Sequence, residues 1–198
     1  MEYAGWIILG LLGLLVLWLI GTYNGLVSLR QRCKQAFSDI DVQLKRRYDL
    51  IPNLVDVARK YVQHERDTLE AVIAARNGAK SASEAAAAKP MDAARIAALA
   101  GAEGTLAGLM NKLNVVVEAY PELKADGTLQ SLSEELGHTE NRIAFARQAF
   151  NDSVLEYNNA AQQAPTNLIA GLFSFREAAM LESTTKEVER AAPRVNLA

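Results

Sequence analysis

The stretch WIILGLLGLLVLWLIGTYNGLVSLRQRCKQAFSDIDVQLKRRYD, residues 6–49, decides the fold. Its first part, WIILGLLGLLVLWLIG (6–21), is almost wholly apolar. From Tyr3 to Leu29 about 27 consecutive positions carry no charged side chain, whereas a helix needs about 20 to cross a bilayer core. Exposed to water, such a helix would aggregate, so the stretch reads as a transmembrane helix. A cleaved signal peptide fits less well, because MEYAGW carries Glu2 and no Lys or Arg, and no A-x-A site follows. Trp6, Trp18 and Tyr23 stand where amphipathic rings favour the two membrane interfaces. Past the span, Leu26, Leu29, Cys33, Ala36/Phe37, Ile40, Leu44 and Tyr48 recur at spacings of three and four. The spacing predicts one helix from about residue 3 to 49, near 70 Å long, half in lipid and half in water.

The flanks set an orientation. Arg30, Arg32 and Lys34 follow the span and only the amino terminus precedes it, so the rule that positive charge stays inside puts the N-terminus outside and the following domain in the cytoplasm. The expected location is a bacterial inner membrane. Residues 30–60 hold about eight Lys/Arg against four Asp. That excess marks Arg30, Arg32, Lys34, Lys45, Arg46 and Arg47 as candidate contacts for anionic lipid, with an ordinary solvated helix face as the alternative. Gly21 and Gly25 form a small-xxx-small pair that suits close approach of two spans, or else mark a local kink.

Further along, Pro52 predicts a turn or kink at Ile51. A second stripe, Leu54 to Ile73, fades at Asn77–Gly78, and an Ala/Ser-rich connection is expected near 77–94, irregular or partly helical since four consecutive Ala are good helix formers. A third stripe runs from Ile96 to Tyr120 and ends at Pro121. The fourth runs through Leu129, Leu132, Leu136, Ile143, Phe145, Phe150, Val154, Tyr157 and Ala161, starting at Asp126 or Thr128 and ending before Pro165. TNLIAGLFSF (166–175) is too short to span and either docks on the bundle or dips into the bilayer surface. The fold class is therefore all-α: a transmembrane anchor (1–25) continuing into an elongated antiparallel helical bundle (26–175), then a charged tail (176–198) expected to be less ordered.

Composition agrees and narrows function. In 198 residues, half are hydrophobic but only 7% aromatic, which favours closely approaching helices. A net charge of -2 gives no field to recruit nucleic acid. The lone Cys33 precludes an intrachain disulfide. His64-Glu65 begins like a zincin helix, but Thr68 stands where the second His belongs. Asp39 and Asp41, two apart on a helix, point to different sides and form no acid/base dyad. No nucleophile elbow, phosphate loop or dinucleotide fingerprint occurs, so no catalytic, metal or cofactor site is expected. Asparagines within helices, Asn141, Asn151 and Asn158 among them, with Arg147 nearby, suggest polar networks inside the bundle or between subunits, as buried Asn sets register in coiled coils; pointing at solvent is the alternative.

RYDLIPNLV (47–55), HERDTLE (64–70), AYPELKA (119–125), ENRIAFARQAFND (140–152), EYNNA (156–160) and PTNLIAGLF (165–173) closely resemble the LemA family of bacterial membrane proteins, over roughly residues 20–175. The resemblance implies a single N-terminal span and an antiparallel helical domain, and extends to a LemA-like protein that magnetosome-forming bacteria use in organelle biogenesis. It brings no enzymatic activity, cofactor or catalytic residue. The leading expectation is a non-catalytic oligomeric scaffold that organises or shapes membrane, touching lipid and its own copies. Gly21, Gly25, Leu29, Phe37, Ile40, Leu44, Asn141, Arg147, Asn151 and Asn158 are its candidate protomer or partner contacts. The runner-up is an adaptor for another membrane protein, such as a quality-control protease. A membrane enzyme with an unrecognised site is the third reading.

Overall fold

Counting by sevens from Leu26 gives Cys33, Ile40, Arg47 and Leu54, and from Phe37 it gives Leu44, Ile51 and Ala58. All of these are buried. A seven-residue repeat keeps one seam of a helix against its neighbours, so the helix that begins in the apolar span has a continuous core face to bury. The computed structural model describes residues 2–182 and, among them, holds six α-helices, one 3-10 turn and no strand. The first helix, α1 (Glu2–Arg59), has 58 residues, about 87 Å at 1.5 Å per residue. Its apolar N-terminal part is exposed from end to end and is the one helix among the described residues long and apolar enough to cross a membrane.

After the 3-10 turn (Gln63–Glu65) come α2 (Arg66–Ala88), α3 (Ala93–Ala119), the single turn α4 (Pro121–Lys124), α5 (Gly127–Gln162) and α6 (Thr166–Leu172). Side-chain pairs fix the directions. Arg32 meets Glu156, Phe37 meets Phe150 and Arg46 meets Glu135, so α5 lies antiparallel to α1. Ser83 meets Asp41 and Arg76 meets the Tyr48 carbonyl, so α2 also runs back along α1. Asp126 caps α5 through Leu129 N–H (2.9 Å) and accepts the Tyr61 hydroxyl (2.8 Å), closing the end far from the span.

Three expectations need correction. The helix does not turn at Pro52 but continues to Arg59. Proline removes the N–H that would bond the carbonyl four residues back, which is that of Tyr48. Arg76 of α2 supplies the missing donor, its Nε lying 2.7 Å from Tyr48 O. The connection expected at 77–94 shrinks to residues 89–92, because the alanines extend α2 to Ala88 and small buried residues, Ala79, Ser83 and Ala86, face the bundle. Phe145 is not core but 74% exposed: the core-facing series of buried Leu129, half-buried Leu136 and buried Ile143, Phe150 and Tyr157 steps by seven and skips it, and two residues beyond Ile143 the helix faces away.

The substitute donor makes a prediction. Arg76→Leu should cost about 2 kcal/mol, as expected for a lost hydrogen bond from a charged group to a carbonyl that α1 leaves unpaired. In a Pro52→Ala background the restored backbone N–H at that position can bond the Tyr48 carbonyl, so the same substitution should cost well under half as much. Equal costs in both backgrounds, measured by urea unfolding, would refute the pairing.

Candidate membrane-proximal interface

Where α1 leaves its apolar run, the rest of the chain gathers around it. Leu26 is buried with Ala161 at the end of α5 and with Ile169 and Ala170 of α6. Tyr23 meets Phe173 and Phe175 edge-on, with ring centroids 4.9 and 5.6 Å apart. The C-terminus of α6 explains how both phenylalanines reach it. Phe175 N–H bonds Ala170 O (2.9 Å) and Ser174 N–H reaches Gly171 O, the two bonds of a Schellman cap, with Ser174 in the left-handed conformation such a cap requires (φ 56°). Phe175 packs back on the Ala170 cluster, the apolar contact that accompanies this cap.

Beyond the cap, residues 175–181 run as an extended strap back along α5. Tyr157 Oη donates to Arg176 O (2.8 Å). Asn158 donates to Ala178 O and accepts Ala178 N–H, both 2.9 Å, and Asn151 does the same for Leu181 (3.2 and 2.8 Å). The spacing is geometric: seven helical residues rise about 10.5 Å and three extended residues cover nearly the same. Ala178 and Leu181 drop into the core between these clips. Of the tail expected to be less ordered, residues 176–182 are thus tied down, and residues 183–198 lie outside the described residues.

The basic candidates divide by height. Arg30 and Lys34 line a cleft of about 650 Å³ that also receives Lys89 and Arg176, with the carboxylates of Asp92 and Glu177 on its walls. Arg32 reaches Glu156 across the α1/α5 seam (3.4 Å). Lys45, Arg46 and Arg47, expected at lipid, stand well along α1: Lys45 is twenty residues past Gly25, about 30 Å along the axis. There Lys45 pairs with Asp41 (2.6 Å) and Arg46 with Glu135. Arg47 is 7% exposed and bonds Glu103 Oε2 (2.8 Å), while Tyr48 donates to Glu103 Oε1 (2.6 Å). Burial, then the adjacent Glu103 carboxylate, push the Tyr48 phenol far above its ordinary value, so it stays a donor.

A family model described as LemA family matches residues 36–197, well over half the chain. The chain belongs to the LemA family. Among curated proteins, Magnetosome protein MamQ of Magnetospirillum gryphiswaldense is 25% identical over 173 residues, covering 80% of this chain and 64% of the relative. Magnetosome protein MamQ 2 of Paramagnetospirillum magneticum is 25% identical over 175 residues, covering 81% and 64%. The chain thus spans about two-thirds of the length of these relatives. Family membership and the one candidate span mark it as a membrane-associated helical protein.

Within this LemA domain the motifs serve mostly as internal joinery: 47–55 holds the Arg47/Tyr48 network and its proline, 140–160 clips the strap, and 165–173 forms α6. Several candidate partner contacts are therefore corrected. Phe37, Ile40 and Leu44 are buried in the chain's own core and Leu29 packs against it, since α5 and α2 cover the stripe. Asn151 and Asn158 are engaged by the strap. Gly21, Gly25 and Asn141 are exposed, and Arg147 is half-buried. A Cβ added at either glycine would meet nothing within 4 Å. No group of three or more His, Cys, Asp or Glu able to hold a metal occurs among the described residues. The Cys33 thiol, which donates to Ser153 O, is pushed up by burial to about 11. It is expected to resist maleimide at pH 8 in the folded protein and to react once urea unfolds it; rapid native labelling would contradict that burial.

Proposed function

We propose that this LemA protein is a non-catalytic, membrane-anchored helical scaffold that assembles from several copies and organises a patch of bacterial inner membrane, with its bundle on the cytoplasmic side. The observation that carries the proposal is apolar surface left bare on the α1/α5 pair outside the span. Val42 is 57% exposed and Phe145 74% exposed. They stand at one height, since each lies five residues, about 7.5 Å, from its member of the Phe37/Phe150 contact, in the direction away from the membrane. Scattered single apolar residues are ordinary on a surface, but two large ones at one level on neighbouring helices suit a contact between copies. Asn141, one helical turn before Phe145, adds polar capacity there. Gly21 and Gly25 leave room for spans to approach below. The likeness to MamQ, named as a magnetosome protein, also favours a structural role.

Light scattering and electron-microscope imaging of the full-length protein in mild detergent test this. Uniform multimeric particles are expected, and Phe145→Arg should reduce their mass while leaving helix content and melting unchanged, because the side chain has no core role. A monomeric wild-type mass would end the scaffold reading and favour an adaptor that uses the same surface for another membrane protein.

A further inference from the structure

We infer that α6 is a second membrane contact: the side chains of Leu168, Leu172 and Phe173 lie in the interfacial layer of the bilayer beside the span. This does not depend on assembly. Residues 157–175 carry no charge, a run of 19 positions in the soluble part that ends at Arg176. Within it α6 turns Ile169 and Ala170 inward, yet leaves Leu168 73%, Leu172 77% and Phe173 54% exposed.

Height selects the occupant. The apolar run of α1 ends at Gly21, and Tyr23, which Phe173 touches, is two residues on, about 3 Å along the axis. Leu26, against which Ile169 and Ala170 pack, is about 8 Å on. The polar layer on each side of a bilayer core is about 5–8 Å deep, so α6 is held within it. Phe173 touches Tyr23, which stands on the same helix as Trp18, Leu19 and Ile20, all exposed on the span itself. Lipid that covers the end of the span therefore adjoins α6. An uncharged, partly buried short helix with large apolar residues on its free side is suited to that boundary. Arg30, nine residues or about 14 Å past Gly21, stands beyond that layer and lines one cleft with Arg176.

The test uses full-length protein in vesicles, with Trp6→Phe and Trp18→Phe removing native emission. A single Leu172→Trp reports from α6, and a single Val115→Trp from an exposed position near the far end of α3. With phospholipids brominated on their acyl chains, the Leu172→Trp emission should lie at shorter wavelength and lose most of its intensity, and the Val115→Trp emission should lose none. Equal emission at both positions, or Leu172→Trp shielded from brominated lipid and aqueous iodide alike, would overturn the inference. The shielded result would mean that protein covers α6, and the mass in detergent would then distinguish a second copy from another partner.

Discussion

Glu103→Ala is expected to lower the unfolding free energy by about 3 kcal/mol, because it strands Arg47 in the bundle. Breaking a buried ion pair by removing one partner costs about 3–5 kcal/mol, since the remaining charge stays desolvated without compensation. The lower end applies here: the Arg47 side chain retains 9% of its exposure and that of Glu103 17%, so some solvent reaches the pair. The same substitution removes the acceptor of the Tyr48 hydroxyl. The double variant Arg47→Leu/Glu103→Leu should recover most of the loss, because a well-packed apolar pair in a core often matches a buried ion pair. Urea unfolding followed by circular dichroism measures both, and a loss below about 1 kcal/mol for Glu103→Ala would show that the pair is effectively solvated.

Asn158→Ala should also have a large effect, and a local one. The Asn158 amide satisfies both the N–H and the C=O of buried Ala178, so its removal leaves a buried donor and a buried acceptor unpaired. Each costs about 1–3 kcal/mol, and because the released strap can open to water the loss falls at the low end of the sum, about 2 kcal/mol. It should appear first as faster hydrogen exchange at the Ala178 and Leu181 amides, with the α1/α5 core changed little, because the strap can open without the bundle. Asn151→Ala, at a half-buried site, should do the same more weakly. Unchanged exchange at Ala178 would mean that apolar burial of Ala178 and Leu181 alone holds the strap.

Much of this architecture was legible in the residues. The span, the all-α class, the antiparallel order and the Asp126 start of α5 follow from hydropathy, stripe spacing and capping. The errors share a cause: local rules cannot see the partner on another helix. Pro52 signals a break until Arg76 is placed beside Tyr48. The basic triplet 45–47 resembles a lipid belt by charge alone, although the expected continuous helix already carries it about 30 Å past Gly25, and its partners Glu135 and Glu103 come from other helices. One signal was available, since Arg47 falls on the seven-residue series of Cys33, Ile40 and Leu54, a position that demands burial. The same count would have removed Phe145 from the core. The strap was hidden because residues 175–181 have no periodicity; only the seven-residue interval between Asn151 and Asn158 hints at a fixed partner.

The unbroken α1 has a mechanical consequence. From Gly21 to Arg59 the helix runs uninterrupted for about 57 Å, so bundle and anchor turn as one lever. Spans accommodate bilayers of different thickness partly by tilting, and a tilt change of about 10° swings the Arg59 end sideways by roughly 10 Å. A thickness change of a few ångströms in the lipid is thereby magnified at the tip, where, in the assembly proposed above, neighbouring rods would splay apart or draw together according to the membrane in which they stand.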